Sequence, residues 1–244
     1  DPLRGEDGDD TLGGMGGADI LDGGAGVDTL NGGDGNDTLY VRAGDSGNGG
    51  NGDDLLIVYE DGPLALTGGA GTDTLQASYD ISGATLSGIE RLAANGVDLT
   101  AAQLAQFQLV TGYSDTSTSG SIQLTQGGTA TVNLSAALSS YFYFYGSGQA
   151  DVITVNSNYA GAIYLYAGAG NDRFTAGAGA DTLRGDDGDD TLNGLAGNDS
   201  IDGGADNDTL AITGGGTVSM LVPVAVSSIE FVTLADSVTF IANN

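Results

Sequence analysis

Apolar residues recur every nine positions along two stretches of the chain. Each interval holds six residues rich in glycine and aspartate, followed by three residues of which the middle one is large and apolar. Short runs of this kind, bounded by glycine, predict brief strands separated by tight turns. A constant period predicts that the units stack and that their central side chains form a core ladder. The ladder comprises Leu12, Leu21, Leu30, Leu39, Leu56, Leu75, Phe174, Leu183, Leu192, Ile201 and Leu210.

The repeats form two blocks that divide the chain into four segments. In the first block, predicted over residues 1–76, units begin at residues 5, 14, 23 and 32 without a slip, then at 49 and 68 after irregular intervals. In the second block, predicted over residues 146–211, units begin at residues 167, 176, 185, 194 and 203 in register. Residues 77–145 and 212–244 lack the period and are predicted to be a β spacer and a C-terminal β cap.

Residues 77–145 carry few charges, and their short runs of β-forming residues predict strands at 84–86, 122–124, 131–134 and 141–145. Thr100 is the expected cap of the one predicted helix, over residues 100–107. The segment is expected to form either solenoid coils or a small sandwich. The tyrosines of YFYFY (residues 141–145) should share one strand face, which either packs or forms an exposed aromatic stripe for a sugar or another subunit.

A related sequence follows each block. LSGIERLAANGVDLT (residues 86–100) and VSSIEFVTLADSVTF (residues 226–240) both contain Ile-Glu followed by alternating apolar residues. This similarity indicates a duplicated chain in which an apolar β segment covers the open end of each stack. Glu90 and Glu230 are therefore interpreted as structural, the alternative being that they are catalytic carboxylates.

Charge and composition narrow the possible functions. The chain has 33 acidic and 5 basic residues in 244, a formal charge of −28, and no His or Cys. Nucleic-acid binding requires the opposite charge. The usual zinc ligands, imidazole bases, thiol nucleophiles and disulfides are absent, so a bound metal must be held by oxygen, which favours a hard cation. No apolar run reaches the ~18 residues of a membrane span.

The sixth residue of every unit is Asp, whose short side chain can point back into its own turn. Glycine is frequent at the first, second and fourth places, where it allows positive φ and lets carbonyl oxygens point inward, which a side chain with a Cβ would obstruct. The ordinary alternative is that these aspartates are solvated turn residues, but an invariant spacing argues against it. The sixth-place residues are Asp10, Asp19, Asp28, Asp37, Asp54, Asp73, Asp172, Asp181, Asp190, Asp199 and Asp208.

Stacking these turns brings like charges together. Adjacent coils of a parallel sheet lie about 4.7–4.9 Å apart. Two carboxylates at ~5 Å repel by about 0.8 kcal/mol in water and by several-fold more at lower effective dielectric. Summed along a ladder, this repulsion rivals the stability of a domain. A calcium ion between the carboxylates would turn this repulsion into attraction and would also bind the carbonyl oxygens of the turns. The free energy of calcium binding would then contribute to folding.

The nonapeptides resemble the hemolysin-type calcium-binding repeats of the RTX family, G-G-x-G-x-D-x-U-x with U a large apolar residue. The resemblance implies an all-β fold, a parallel β-roll or β-solenoid with two calcium-binding blocks joined and capped by β segments that bind no calcium. It further implies that two units make one coil, and that several Ca²⁺ ions lie between turns eighteen residues apart. The sixth-place Asp would supply carboxylates and the turn would supply backbone carbonyls.

Carried onto this chain, the resemblance implies five sites, at Asp10 with Asp28, Asp19 with Asp37, Asp172 with Asp190, Asp181 with Asp199, and Asp190 with Asp208. The pairs that join Asp54 to Asp37 and to Asp73 are one residue off the family spacing, and Asp206 replaces a fourth-place Gly, which puts these turns in doubt. The expected turn ligands lie at Gly5, Gly8, Gly14, Gly17, Gly23, Gly24, Gly26, Gly32, Gly33, Gly35, Gly168, Gly170, Gly177, Gly179, Gly185, Gly188, Gly194 and Gly197.

Three functions fit these features. The leading hypothesis is a non-catalytic calcium-binding module of a larger bacterial protein, exported through a type I secretion channel and folded outside the cell. The second is a surface-layer or adhesin segment that binds a cell-surface glycan or further copies of itself. The third is the calcium-binding tail of a secreted protease, lipase or polysaccharide epimerase. The sequence contains neither a nucleophile paired with a general base nor a zinc motif, which predicts no enzymatic activity for this chain.

Overall fold

The computed structural model describes residues 2–113, 119–138, 140–156, 158–194, 199–212, 216–219, 225–234 and 238–241. The chain divides into two compact units, and unit 1 consists of residues 1–99 and 106–116. Its strands are β1 (Leu3–Arg4), β2 (Thr11–Gly16), β3 (Ile20–Asp22), β4 (Thr29–Asp34), β5 (Thr38–Val41), β6 (Ser46–Asn51), β7 (Leu55–Val58), β8 (Ala65–Ala70), β9 (Thr74–Ala77), β10 (Thr85–Ser87), β11 (Arg91–Ala94), β12 (Val97–Leu99) and β13 (Leu109–Gly112).

Unit 2 consists of residues 100–105 and 117–244. It contains the single helix of the described residues, α1 (Ala101–Leu104). Its strands are β14 (Ser119–Leu124), β15 (Gly128–Val132), β16 (Tyr141–Tyr145), β17 (Asp151–Val155), β18 (Ala162–Tyr166), β19 (Arg173–Thr175), β20 (Thr182–Asp187), β21 (Thr191–Asn193), β22 (Ser200–Ala205), β23 (Thr209–Ile212), β24 (Gly216–Ser219), β25 (Ala225–Ser227), β26 (Phe231–Leu234) and β27 (Val238–Ile241).

Successive strands of each unit alternate between two parallel sheets. In unit 1 one sheet has the order β1-β3-β5-β7-β9-β11-β13 and the other β10-β8-β6-β4-β2. In unit 2 the corresponding orders are β14-β16-β18-β20-β22-β25 and β15-β17-β19-β21-β23-β26, with β24 and β27 paired separately. Two consecutive strands therefore complete one coil, and each unit is a parallel β-solenoid. The predicted all-β fold class is confirmed.

The strand register places the apolar ladders in the core. Leu12 pairs with Leu30 and Leu183 with Ile201, each eighteen residues apart. Because alternate strand residues face opposite sides, the central residue of every repeat points inward. Except for Leu12, which lies on the edge strand β2, all the predicted ladder residues are buried. Each coil contains two units and the coils repeat every eighteen residues on average, which explains the nine-residue period.

The irregular intervals of the first block do not break this stacking. Leu39 pairs with Leu56 seventeen residues later, and Leu56 pairs with Leu75 nineteen residues later. The interrupting residues contribute β6 and β8, which continue the second sheet in parallel register. The missing and extra residues are therefore absorbed in the connections between strands.

The segment between the blocks forms further solenoid coils, so the sandwich alternative is wrong. Predicted strands at 84–86, 122–124, 131–134 and 141–145 correspond to β10, β14, β15 and β16. The predicted helix forms but ends at Leu104, before Phe107. Thr100 caps it, since its Oγ1 accepts the Gln103 backbone N–H at 3.1 Å and Gln103 Oε1 accepts the Thr100 N–H at 2.8 Å.

Among the described residues, no helix has both the length and the apolar character that a membrane span requires.

Candidate metal centre

The sixth-place aspartates of successive coils are joined by direct hydrogen bonds. The backbone N–H of Asp10 donates to Asp28 Oδ1 at 2.8 Å, and the same bond joins the other four regularly spaced pairs at 2.8–2.9 Å. Each turn therefore presents its carboxylate to the turn before it. We call each such series of linked aspartates an aspartate ladder, to distinguish it from the apolar ladder of the core. The structure brings together all five aspartate pairs that the resemblance implies.

The two doubted pairs have the same geometry. The Asp37 N–H donates to Asp54 Oδ1, and the Asp54 N–H donates to Asp73 Oδ1, both at 2.8 Å. Their one-residue deviations do not move the aspartates because the connections between strands absorb them. The repeat spacing alone therefore did not show that the aspartate ladder continues through Asp54 and Asp73.

The second oxygen of ten of these carboxylates has no hydrogen-bond donor among the described residues. This oxygen, Oδ2, is buried in each of the ten. A buried carboxylate oxygen without a donor or a cation is energetically costly. The observation holds in both blocks, for Asp10, Asp19, Asp28, Asp37, Asp54, Asp73, Asp172, Asp181, Asp190 and Asp208.

First-place glycines face these oxygens. A Cβ atom built on Gly14 would lie 2.7 Å from Asp19 Oδ2 and 2.6 Å from the Gly32 carbonyl oxygen of the next coil. A carboxylate oxygen and a carbonyl oxygen thus converge on the space that a side chain would fill. We call this space a cradle, and it recurs with the corresponding oxygens at Gly5, Gly32, Gly49, Gly68, Gly185 and Gly203. At Gly23 the Asp28 carboxylate lies in the same place.

The structure assigns the two reasons expected for these glycines, positive φ and the space that a Cβ would fill, to different places of the unit. Positive φ was expected at the first, second and fourth places, but the first-place glycines do not have it. They are required because a Cβ would collide with the converging oxygens. Positive φ, between 101° and 145°, occurs at the second and fourth places, in Gly8, Gly17, Gly24, Gly26, Gly33, Gly35, Gly168, Gly170 and Gly188.

Other turns of the second block depart from this pattern. Gly177 and Gly179 lack positive φ, and Cβ atoms built there would meet the carbonyls of Tyr159 and Gly161. A Cβ on Gly194 would meet Leu183 Cδ1 at 2.7 Å, while Asp199 Oδ2 is 3.7 Å away. These glycines do not form the cradle seen at Gly14, and Gly197 lies outside the described residues. Asp206 adopts φ of 78° in place of the expected Gly.

Burial raises the pKa of several ladder aspartates. The pKa of Asp172 and that of Asp181 rise from 3.8 to about 7, and that of Asp190 rises to about 6. Desolvation is the main cause, and repulsion from the next carboxylate of the ladder adds to it. The pKa values of Asp54, Asp73 and Asp208 are raised for the same reasons. Without a cation, the charged ladder is therefore unfavourable.

The donor set fits calcium better than zinc or magnesium. The described residues contain no group of three or more His, Cys, Asp or Glu side chains suited to a metal. Each cradle instead combines aspartate oxygens with backbone carbonyls. Calcium accepts six to eight such oxygens at irregular geometry, whereas magnesium requires a smaller octahedral set.

Comparison with known families gives the same assignment. The model of the RTX calcium-binding nonapeptide repeat matches in four copies, over residues 4–39, 13–48, 164–192 and 184–216. Both blocks contain RTX calcium-binding nonapeptide repeats. The units that begin at Gly49 and Gly68 lie outside the matched ranges, although their aspartates continue the ladder. A comparison with curated proteins finds no match.

A glutamate ends one aspartate ladder in each block, a position that sequence reasoning did not identify. Glu90 Oε2 accepts the N–H of Asp73 at 2.9 Å, and Glu230 Oε2 accepts the N–H of Asp208 at 2.7 Å. Each Glu thus takes the place of the next aspartate. The recurrence of Ile-Glu after both blocks was the signal for this equivalence, and the contacts favour the structural interpretation over the catalytic one.

Two aspartates outside the RTX units also join the ladders, and both were missed. Asp45 Oδ1 accepts the N–H of Asp28 at 2.9 Å, while its Oδ2 accepts the Arg42 N–H at 2.7 Å. The N–H of Asp151 donates to Asp172 Oδ1, and Asp151 Oδ2 accepts the Ser147 N–H at 2.8 Å. A donor from the same turn therefore satisfies Oδ2 of Asp45 and of Asp151, unlike Oδ2 of the ten sixth-place aspartates.

A second, exposed ladder runs along the fifth places of the RTX units. The side chains at these places accept backbone N–H bonds from the following coil, in the direction opposite to the sixth-place ladder. Thus the Val27 N–H donates to Asp9 Oδ1 at 2.9 Å, and the Thr72 N–H donates to Asp53 Oδ1 at 2.8 Å. Asn36, Asn171 and Asp189 accept equivalent bonds. These bonds fix the register without requiring a metal.

Adjacent glycines offer a test of the cradle. Gly14→Ala should raise the calcium midpoint of folding about tenfold, or about 1.4 kcal/mol, because its Cβ would collide with the ligand oxygens. Gly13→Ala is the matched control, since a Cβ at Gly13 meets nothing within 4 Å. The comparison is a calcium titration followed by circular dichroism. Equal midpoints in the two variants would show that the first-place space is not a calcium site.

Proposed function

We propose that this chain is a non-catalytic calcium-binding module of a larger secreted protein, and that calcium outside the cell completes its folding. The observation that carries the proposal is the row of buried Asp Oδ2 atoms without hydrogen-bond donors among the described residues, eight of which lie beside a first-place glycine. RTX repeats are typical of secreted bacterial proteins. Export before folding suits a chain whose own charges oppose the folded state.

The difference in calcium concentration between the cytosol and the outside of the cell would determine where the chain folds. Extracellular calcium modules work at about 10⁻⁴–10⁻³ M, far above cytosolic levels, so weak sites remain empty inside the cell and fill outside it. Because the ligands meet only in the folded solenoid, each ion bound adds its binding free energy to folding. The candidate ligands are the sixth-place aspartates and the carbonyls of the first-place residues in the following coil.

The number of bound ions tests this proposal. Equilibrium dialysis of the full chain, with metal analysis of both compartments, should find at least one calcium ion for each of the five regularly spaced Asp pairs. Excess magnesium should displace few of them, because the carbonyl-rich cradles suit the larger ion. One ion or none per chain at millimolar calcium would refute the proposal.

A second candidate function is that of a surface-layer or adhesin segment. It is favoured by the large exposed side chains of Tyr141 and Tyr145 in unit 2. Loss of cell attachment on chelation, in the parent protein, would support this candidate.

A further inference from the structure

Five tyrosines make a continuous aromatic surface on unit 2. Residues between them, Phe142 and Phe144, are 0% and 1% exposed and fill the core, so the tyrosines project from the opposite face of the sheet. The register places Tyr143 beside Tyr164 and Tyr145 beside Tyr166. We call this surface the tyrosine face, and it consists of Tyr141, Tyr143, Tyr145, Tyr164 and Tyr166.

The rings are arranged as an extended surface with one raised end. Tyr145 is nearly parallel to Tyr143 and to Tyr166, at 11° and 10°, with ring centroids 6.1 and 5.4 Å apart. Tyr164 lies 5.0 Å from Tyr143 at 31°. Tyr141 stands at 66° to Tyr143 and at 83° to Tyr164. Tyr141 and Tyr145 are 42% and 38% exposed, so the surface is open to a ligand.

Hydrogen-bonding side chains without charge border most of this face. Ser121 and Gln123 on β14 pair with Tyr143 and Tyr145, and Thr182 on β20 pairs with Tyr164. The one cation that the described residues place at the border, Arg184, lies 6.0 Å from the Tyr166 ring centroid and forms an ion pair with Asp186 at 3.4 Å. Gln123 Nε2 donates to the backbone carbonyls of Leu124 and Gly146 at 3.0 and 2.7 Å, so the border offers hydroxyl groups and the Gln123 amide oxygen around an aromatic centre.

We propose that the tyrosine face binds a neutral polysaccharide. Sugar rings present C–H groups that pack on aromatic rings, and their hydroxyls match the serine, threonine and glutamine side chains of the border. The charge of −28 disfavours nucleic acid, an anionic polysaccharide or a second copy of the chain. The core beneath is already filled, so the exposed rings form a patch of the kind that marks interaction sites.

The test uses the full chain in saturating calcium. Native gels cast with hydroxyethylcellulose, mannan or amylose should retard the protein in at least one case, whereas alginate should not. Tyrosine emission gives a second readout, because the chain has no Trp and half of its 10 Tyr residues lie in the face. Binding of the retarding polysaccharide should change this emission.

Two pairs of substitutions separate the face from tyrosines elsewhere. Tyr145→Ala with Tyr166→Ala should weaken binding by about tenfold or more, because it removes two of the rings on which a sugar would pack. The matched control is Tyr40→Ala with Tyr59→Ala in unit 1, which also removes two rings 5.4 Å apart beside an arginine, Arg42. If the first pair prevents the calcium-induced β signal, the exposed single variant Tyr145→Gln is used instead and should still weaken binding.

The proposal is overturned if no neutral polysaccharide retards the chain, if only alginate does, or if both double variants bind equally. It is also overturned if sedimentation equilibrium shows self-association that the Tyr145 and Tyr166 substitutions abolish, because a second copy would then occupy the face. Calcium stoichiometry is measured separately, so failure of the calcium proposal would be distinguishable from failure of this one.

Discussion

Asp190→Asn should destabilise the calcium-loaded protein yet leave the metal-free protein as stable as before or more so. In calcium, the substitution removes a charged ligand at a 1% exposed position, and the free energy of unfolding should fall by about 2–4 kcal/mol. The amide oxygen can still accept the N–H of Asp172, so the hydrogen-bond ladder is retained. A urea titration in calcium and the β signal that remains in chelator, both followed by circular dichroism, measure the two effects.

The opposite signs arise because the same carboxylate is a ligand in one state and an unpaired buried charge in the other. Without metal, an uncharged amide is less costly to bury, and its N–H group lies near the Gly203 carbonyl, which faces the same cradle. Asp187→Asn is the matched control, since Asp187 is exposed in the same turn. Destabilisation of similar size in calcium and in chelator would mean that Asp190 stabilises the fold without a cation.

Acid should stabilise the metal-free protein. The folded-state pKa values of Asp172 and Asp181, about 7, and of Asp190, about 6, exceed the ordinary value of 3.8. Between these limits the folded state holds more protons than the unfolded state, so its stability falls as pH rises. The stabilisation is fully present below about pH 4 and is lost by about pH 7.

Calcium should reverse this dependence, because protons compete with the ion for the same oxygens. In buffers freed of metal by chelating resin, β signal and urea midpoint should increase from neutral pH to about pH 5. In limiting calcium they should decrease over the same interval. Slopes of the same sign in both conditions would contradict the ladder as the shared site of protons and metal.

The repeat made most of the fold predictable from sequence. The nine-residue period and the central residues such as Leu30 and Leu192 together specify the length of each strand, the side chain that points into the core and the register between strands. They do so because a single unit cannot bury its apolar side chain alone. The sixth-place aspartates were equally visible. The cradle oxygens were only partly predictable, since the period shows that Gly14 is required but not whether positive φ or the space that a Cβ would fill is the reason at that place.

The remaining elements lacked a periodic signal. Asp45 and Asp151 join the aspartate ladders from irregular segments. Local turns place their partners Arg42 and Ser147, and the repeat spacing does not predict these turns. The fifth-place ladder escaped notice because Asp and Asn alternate there with other residues. Glu90 was recognised as part of a repeated segment, yet its bond to Asp73 depends on a longer side chain reaching the same point as an aspartate.

Circular dichroism of the full chain during a calcium titration at neutral pH is the most direct test of the account. The chelated protein should be largely coil, and calcium in the sub-millimolar to millimolar range should produce β signal cooperatively, while magnesium at equal concentration should not. Full β signal in the chelated chain, unchanged when calcium is added, would show that the aspartate ladders fold without the ions this account requires.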